Sequence, residues 1–197
     1  MFTGIVECMG EVQDVRPENT NVHFRISAAF ARELRVDQSV AHNGVCLTVT
    51  GLDGDTYWVT AVQETLNRSN LGALQKGSPV NLERCMKATD RFEGHIVQGH
   101  VDTAGICTGA EDLNGSWKFS FMYEPTDESH MTVPKGSITV NGTSLTVVDS
   151  HENTFSVVVI PYTYEHTLFG SMQVGDPVNL EFDIIGKYLA RLNAKRT

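Results

Sequence analysis

The chain has 197 residues, 41% of them hydrophobic and 20% charged, with a formal net charge of -9. That length suffices for one large domain or two of about a hundred residues, with a core that needs no disulfide or metal to hold it. The acidic balance lacks the basic face that phosphate backbones require, so no nucleic-acid partner is expected, and no apolar run approaches the ~20 residues that span a bilayer, so no membrane is expected.

Met1-Phe2-Thr3-Gly4 has no basic region followed by an apolar run, so no signal peptide is read there. The chain is expected to be cytoplasmic, with Cys8, Cys46, Cys85 and Cys107 as reduced thiols, since they are widely spaced and form no CxxC pair. Further along, Ser27 is positioned to cap a helix over 28–35 with Phe30 and Leu34 on one face. Then come three short β-branched and aromatic runs, 46–50, 56–62 and 79–83, separated by turn signals at Asp53-Gly54-Asp55 and Lys76-Gly77-Ser78-Pro79. Asn43-Gly44 precedes the first run and suits a tight hairpin, because both residues accept positive φ.

The same score is then played again. NGVCLTV at 43–49 returns as NGTSLTV at 141–147, and residues 41–83 align without a gap on 139–181, with 16 of 43 positions identical, including PVNLE at 79–83 and 177–181. A second match, offset by 95, places Gly4 on Gly99, Glu7 on Asp102 and Gly10 on Gly105. A period near a hundred is too long for a solenoid. The chain therefore reads as all-β: two similar six-stranded antiparallel β-barrels in tandem, 1–93 and 94–183, followed by a helix over 184–197. In that tail Ile184, Ile185, Tyr188, Leu189 and Leu192 have helical spacing, and a short isolated helix needs a surface to cover its apolar face; another subunit is expected to supply it.

Positions where the copies differ mark candidate chemistry. Cys46 faces Ser144, Ile5 faces His100, Asp37 faces Lys135 and Cys85 faces Asp183, while Thr48 and Thr146 agree. The second copy thus gathers His100, Lys135, Ser144, Thr146 and Asp183. Each has a bland reading: Cys46 as a small apolar filler, Ser144 and Thr146 as the solvent side of a strand. His95 and His100 in GHIVQGH invite a zinc site, but an i,i+5 spacing sets them on opposite faces of a strand and no acid or thiol is spaced to complete it, so no metal is expected. A Ser-His-Asp hydrolase from Ser144, His100 and Asp183 lacks the GxSxG elbow. GxGxxG and GxxxxGK[ST] are absent, leaving dinucleotide and nucleoside-triphosphate binding without support.

MFTGIVE, AHNGVCLTV, Glu64-Thr65-Leu66 before Asn70-Leu71-Gly72, GHIVQGHVD and NGTSLTVV together resemble the riboflavin synthase family, over Met1 to about Lys187. The resemblance implies a homotrimer of duplicated barrels joined by the C-terminal helix. It implies dismutation of two 6,7-dimethyl-8-ribityllumazine molecules, two per site, into riboflavin and 5-amino-6-(D-ribitylamino)uracil, with no cofactor and possible association with lumazine synthase. Carried over by motif, one pocket would use Gly4, Ile5, Val6, Cys46, Leu47, Thr48 and Thr60, Ala61, Val62, Gln63, Glu64, Thr65. The other would use Gly99, His100, Val101, Lys135, Ser144, Leu145, Thr146 and Ile160, Pro161, Tyr162, Thr163, Tyr164, Glu165. Ser39, Cys46, His100, Ser144, Thr146 and Asp183 match catalytic positions of the family. The sequence departs from it at Asn141, where relatives often have Asp, and in IPYTYEHT, where they often show IPETLE. A non-catalytic antenna protein that holds lumazine or flavin on the same fold is the alternative; such proteins lose the polar set of the second half.

Overall fold

In the computed structural model, which describes residues 1–194, each copy closes into its own barrel. The first contains β1 (Cys8–Glu18), β2 (Asn21–Ser27), β3 (Ser39–His42), β4 (Val45–Asp53), β5 (Thr56–Ala61) and β6 (Pro79–Arg84), hydrogen-bonded around the ring in the order β1-β2-β5-β4-β3-β6. The second contains β7 (Thr103–Asp112), β8 (Trp117–Tyr123), β9 (Ser137–Val140), β10 (Thr143–Ser150), β11 (Thr154–Val159) and β12 (Pro177–Phe182) in the same circular order. Helices α1 (Gln63–Arg68) and α2 (Pro161–His166) follow β5 and β11, and α3 (Ile184–Asn193) ends the described chain. The expected all-β architecture with a C-terminal helix is what the chain builds; residues 195–197 of the expected helix lie outside the described residues.

Alternation sets which side faces in. In β5, Tyr57, Val59 and Ala61 are fully buried while their neighbours are half-exposed, the period-2 pattern of a strand with one wet face. The first core is mostly aliphatic around Tyr57; the second is built on Phe119, Phe121, Phe155, Phe169 and Phe182. Closure leaves neither barrel an open edge.

The helix expected over 28–35 is absent; only Ala31–Glu33 makes a 3-10 turn. Ser27 ends β2 instead of capping: its hydroxyl donates to Glu11 O and accepts from Gln13 Nε2. Phe30 packs beneath the Arg84 guanidinium and Leu34 inserts into the core. Anchors at both ends hold the connection taut between β2 and β3, and backbone extended at Leu34 cannot continue a helix.

The two Asn-Gly turns meet where the barrels touch. Asn43 (φ 48°) and Gly44 (φ 80°) mirror Asn141 (φ 46°) and Gly142 (φ 79°), and a Cβ on Gly44 would stand 2.8 Å from Gly142 N. Around this contact Asn81 Nδ2 donates to Asn141 O and Asn179 Nδ2 to Asn43 O, both at 2.9 Å. These amides are buried and spend their hydrogen-bonding capacity on the other copy, so the two barrels dock in one defined register.

Candidate active site

Each copy is preceded by a short extended segment, and these leaders cross. Residues 2–6 lie against the second barrel: Ser144 N–H donates to Gly4 O at 2.7 Å. Residues 97–101 lie against the first: Cys46 N–H donates to Gly99 O at 2.8 Å. Phe2, fully buried, and Val97 pair by backbone hydrogen bonds where the leaders pass. Gly4 and Gly99 both have φ 78°, and an added Cβ would lie 2.6 Å from Ser144 Cβ and 2.7 Å from Cys46 Cβ. Glycine is required at both places by handedness and by closeness.

The expected grouping of pocket residues is therefore exchanged. Gly4, Ile5 and Val6 belong beside Ser144, not Cys46; Gly99, His100 and Val101 belong beside Cys46, not Ser144. A cavity of about 320 Å³ brings the second grouping together: Cys46, Glu64, Thr65, Arg68, Gly99, His100 and Val101 line it with Asp102 and His130.

A buried carboxylate holds each leader. Glu83 accepts from Thr3 N–H (2.7 Å), Thr3 Oγ1 (2.9 Å) and Gly4 N–H (3.0 Å). Glu181 accepts from the N–H groups of Gln98 (2.7 Å), Gly99 (2.9 Å) and His100 (3.0 Å). Burial pushes both carboxyls above their ordinary range, Glu181 to about 7, although the backbone donors pull the other way. Both are the final residue of PVNLE.

The remaining candidates occupy distinct settings. Leu47 packs in the first core and Leu145 against the second, while Thr48 and Thr146 are exposed. Ser39 opposes Thr48 across β3 and β4, and its carbonyl accepts from Cys85 N–H. Lys135 is held in a left-handed conformation (φ 68°), its N–H donating to Val147 O beside Thr146. Thr60 shares a hydrogen bond with His23 Nδ1, Ala61 is buried, and Val62 is half-exposed at the head of α1, where Gln63 donates to Asn67. Where α1 pairs Glu64 with Arg68, α2 stacks Tyr162 on His166 at 4.2 Å. Tyr164 stacks on Trp117 at 3.8 Å, Thr163 O accepts from Thr167 Oγ1, and Ile160, Pro161 and Glu165 are exposed. Asp183 Oδ1 accepts from Ile185 N–H and so caps α3.

One sequence reading of the histidines is corrected. The GHIVQGH segment is not a regular strand, and its histidines serve different copies. His95 Nδ1 lies 2.7 Å from Ser144 Oγ, whereas His100 borders the Cys46 cavity. No described hydrogen bond joins Ser144 to His100 or Asp183, so the hydrolase triad does not assemble. Among the described residues no group of three or more His, Cys, Asp or Glu is arranged to hold a metal.

Comparing the copies could not have found the Ser144 partner or the leader clamps. Neither match between the copies covers His95, and Glu83 and Glu181 are identical and drop out of any list of differences.

A family model described as the lumazine binding domain matches residues 3–85 and again 98–183. Riboflavin synthase of Actinobacillus pleuropneumoniae is 39% identical over 197 residues, 100% of this chain and 91% of that protein. That of Mycobacterium tuberculosis is 44% identical over 198 residues, covering 98% of each. The chain belongs to the riboflavin synthase family. Within this family's fold, LumP complexed with 6,7-dimethyl-8-(1'-D-ribityl) lumazine superposes with a TM-score of 0.82 at 19% identity, covering 92% of this chain and 98% of that one. LumP complexed with riboflavin gives 0.84 at 20% identity, covering 92% and 99%. At those identities the likeness is one of fold, and the riboflavin synthase relatives carry the family assignment.

Proposed function

We propose that the chain is a riboflavin synthase, joining two molecules of 6,7-dimethyl-8-ribityllumazine by moving a four-carbon unit from one to the other, and releasing riboflavin and 5-amino-6-(D-ribitylamino)uracil. The observation that carries this reading is the crossing of the leaders, which makes two equivalent composite sites, in a chain whose full-length relatives are riboflavin synthases. Two like sites suit two copies of one substrate; the Cys46/Ser144 and Ile5/His100 differences suit donor and acceptor chemistry. The chain is divided as 1–93, 94–183 and 184–197, with the leaders reaching across the first boundary.

In this reading His100, or a hydroxyl near it, moves a proton of the acidic C7 methyl of one lumazine, and Ser39 belongs to the same catalytic set. Ser144, Thr146 or a water held there adds to the other as a temporary nucleophile. Cys46 lies against one ring, and Asp183 sets the charge near the second site. Holding two flat rings in the reacting orientation contributes on the order of 7–11 kcal/mol through proximity. The working site pairs the first barrel of one subunit with the second barrel of a neighbour, in a cytoplasmic homotrimer seated on α3, which associates with lumazine synthase. No cofactor is required.

Incubation of the purified chain with 6,7-dimethyl-8-ribityllumazine alone tests the reading. Sustained growth of riboflavin absorbance and fluorescence supports it. Binding with altered fluorescence but no riboflavin assigns the chain to the antenna class.

A further inference from the structure

His95 makes contacts that none of the roles above uses. Its Nδ1 is 2.7 Å from Ser144 Oγ, and its Nε2 is 3.2 Å from Oγ1 of the buried Thr139. The pair is locked from the backbone: His95 N–H donates to Thr3 O at 3.1 Å, and Ser144 N–H to Gly4 O at 2.7 Å. A Cβ on Gly94 would fall 1.9 Å from Thr3 O and 3.3 Å from Ser144 Cβ, so only glycine admits this approach. In the first copy the equivalent Cys46 has no hydrogen bond from its sulfur to any described imidazole.

We propose that His95 is the positioning residue of Ser144: its Nδ1 accepts the hydroxyl hydrogen, turns an Oγ lone pair toward bound lumazine, and takes the proton when Oγ adds to the ring. The inference rests on the riboflavin synthase reading for the identity of the ring. In this assignment the imidazole is the Nε2–H tautomer: Ser144 Oγ–H donates to Nδ1, and Nε2–H donates to Thr139 Oγ1. In the addition, an O–C bond forms at an electrophilic ring carbon while the ring's double-bond pair moves into the pyrimidinedione half, and the hydroxyl proton passes to Nδ1. Elimination reverses each transfer. Burial lowers the imidazole's pKa and keeps it neutral, ready to accept; the one charged group described as acting on it is Asp183, which opposes that shift and stabilises the imidazolium as it forms. The different phrases NGVCLTV and NGTSLTV thereby acquire a physical reason: the Ser144 hydroxyl of the second has an imidazole beside it, and the Cys46 thiol of the first has none among the described hydrogen bonds.

Ser144→Cys tests the pairing without relying on turnover, because an adjacent imidazole raises thiolate character. Iodoacetamide labelling at pH 7, read peptide by peptide, should be roughly tenfold faster at position 144 than in the Ser144→Cys/His95→Asn double variant. It should also be faster than at Cys46 in the same chain, a comparison that leaves His95 untouched should its variants fail to fold. Equal rates in both comparisons overturn the proposal. In the otherwise native chain, His95→Asn should lower kcat on the order of a hundredfold with lumazine affinity unchanged, and should add nothing in a Ser144→Ala background. The same loss in both backgrounds, or a loss confined to binding, contradicts it. Fast labelling of Ser144→Cys together with no riboflavin formed by the native chain would keep the pair and overturn the enzyme reading instead.

Discussion

Two buried residues control how the molecule responds to pH, and they act in opposite directions. His42, hydrogen-bonded to Tyr57 Oη at 2.8 Å, has its pKa lowered from 6.5 to about 4 by desolvation. The unfolded chain therefore binds this proton more tightly, and stability is lost as pH falls from about 6.5 toward 4. Glu181 is raised from 4.5 to about 7, so the folded state holds its proton, and that stabilisation is lost as pH rises through 7. Each effect is on the order of 3 kcal/mol at full extent. The two windows overlap, so their slopes largely cancel in the native chain between about pH 4.5 and 6.5. Urea unfolding of Glu181→Gln should uncover a rise in stability from pH 4 to 6.5, and that of His42→Gln a fall from pH 4.5 to 7. A Glu181→Gln profile with the same slope as the native chain over this range would refute the assignment. Loosening of the His100 leader accompanies the same substitution, since three backbone N–H groups lose a carboxylate acceptor.

Among the elements, α3 shows how a sequence pattern is carried into a surface. Asp183 caps it, and Lys187 pairs with Asp102 at 2.6 Å, both side chains largely buried, which ties the helix to the second barrel. Ile185, Tyr188, Leu189 and Leu192 remain more than half exposed. An apolar stripe of this kind on a short helix is stable when another surface covers it. Leu189→Glu together with Leu192→Glu should convert the proposed homotrimer to monomers in analytical ultracentrifugation and lower activity at least tenfold, with the barrels still folded. Retention of the assembly would show that α3 does not hold it. The strands and this helix were legible because alternation and 3.6-residue spacing are local signals. The segment 28–35 was not, because Phe30 and Leu34 carry helical spacing yet are anchored at separate points of the barrel end, where tertiary contacts override propensity.

For the molecule as a whole, the duplication is plain in the letters, but which copy each leader touches is not. Aligning the halves pairs Gly4 with Gly99 and Ser144 with Cys46 without telling that Gly4 stands on Ser144; a register of likeness contains no register of contact. Comparing the halves named candidate residues but not which of them the fold brings together, and the buried carboxylates were hidden by being the same in both halves. The crossing also makes each site depend on barrel docking. Gly142→Ala would place a Cβ 2.7 Å from Gly44 N at φ 79°, so it should cost at least about 2 kcal/mol and split one calorimetric transition into two. A single unshifted transition would mean that the asparagine contacts alone fix the docking.

The mass balance of turnover tests most directly the claim that two like sites serve two copies of one substrate. With 6,7-dimethyl-8-ribityllumazine as sole reactant, the account predicts two molecules consumed for each riboflavin formed, with one 5-amino-6-(D-ribitylamino)uracil released. Conversion of one lumazine per riboflavin, or a requirement for a second kind of carbon donor, would contradict it.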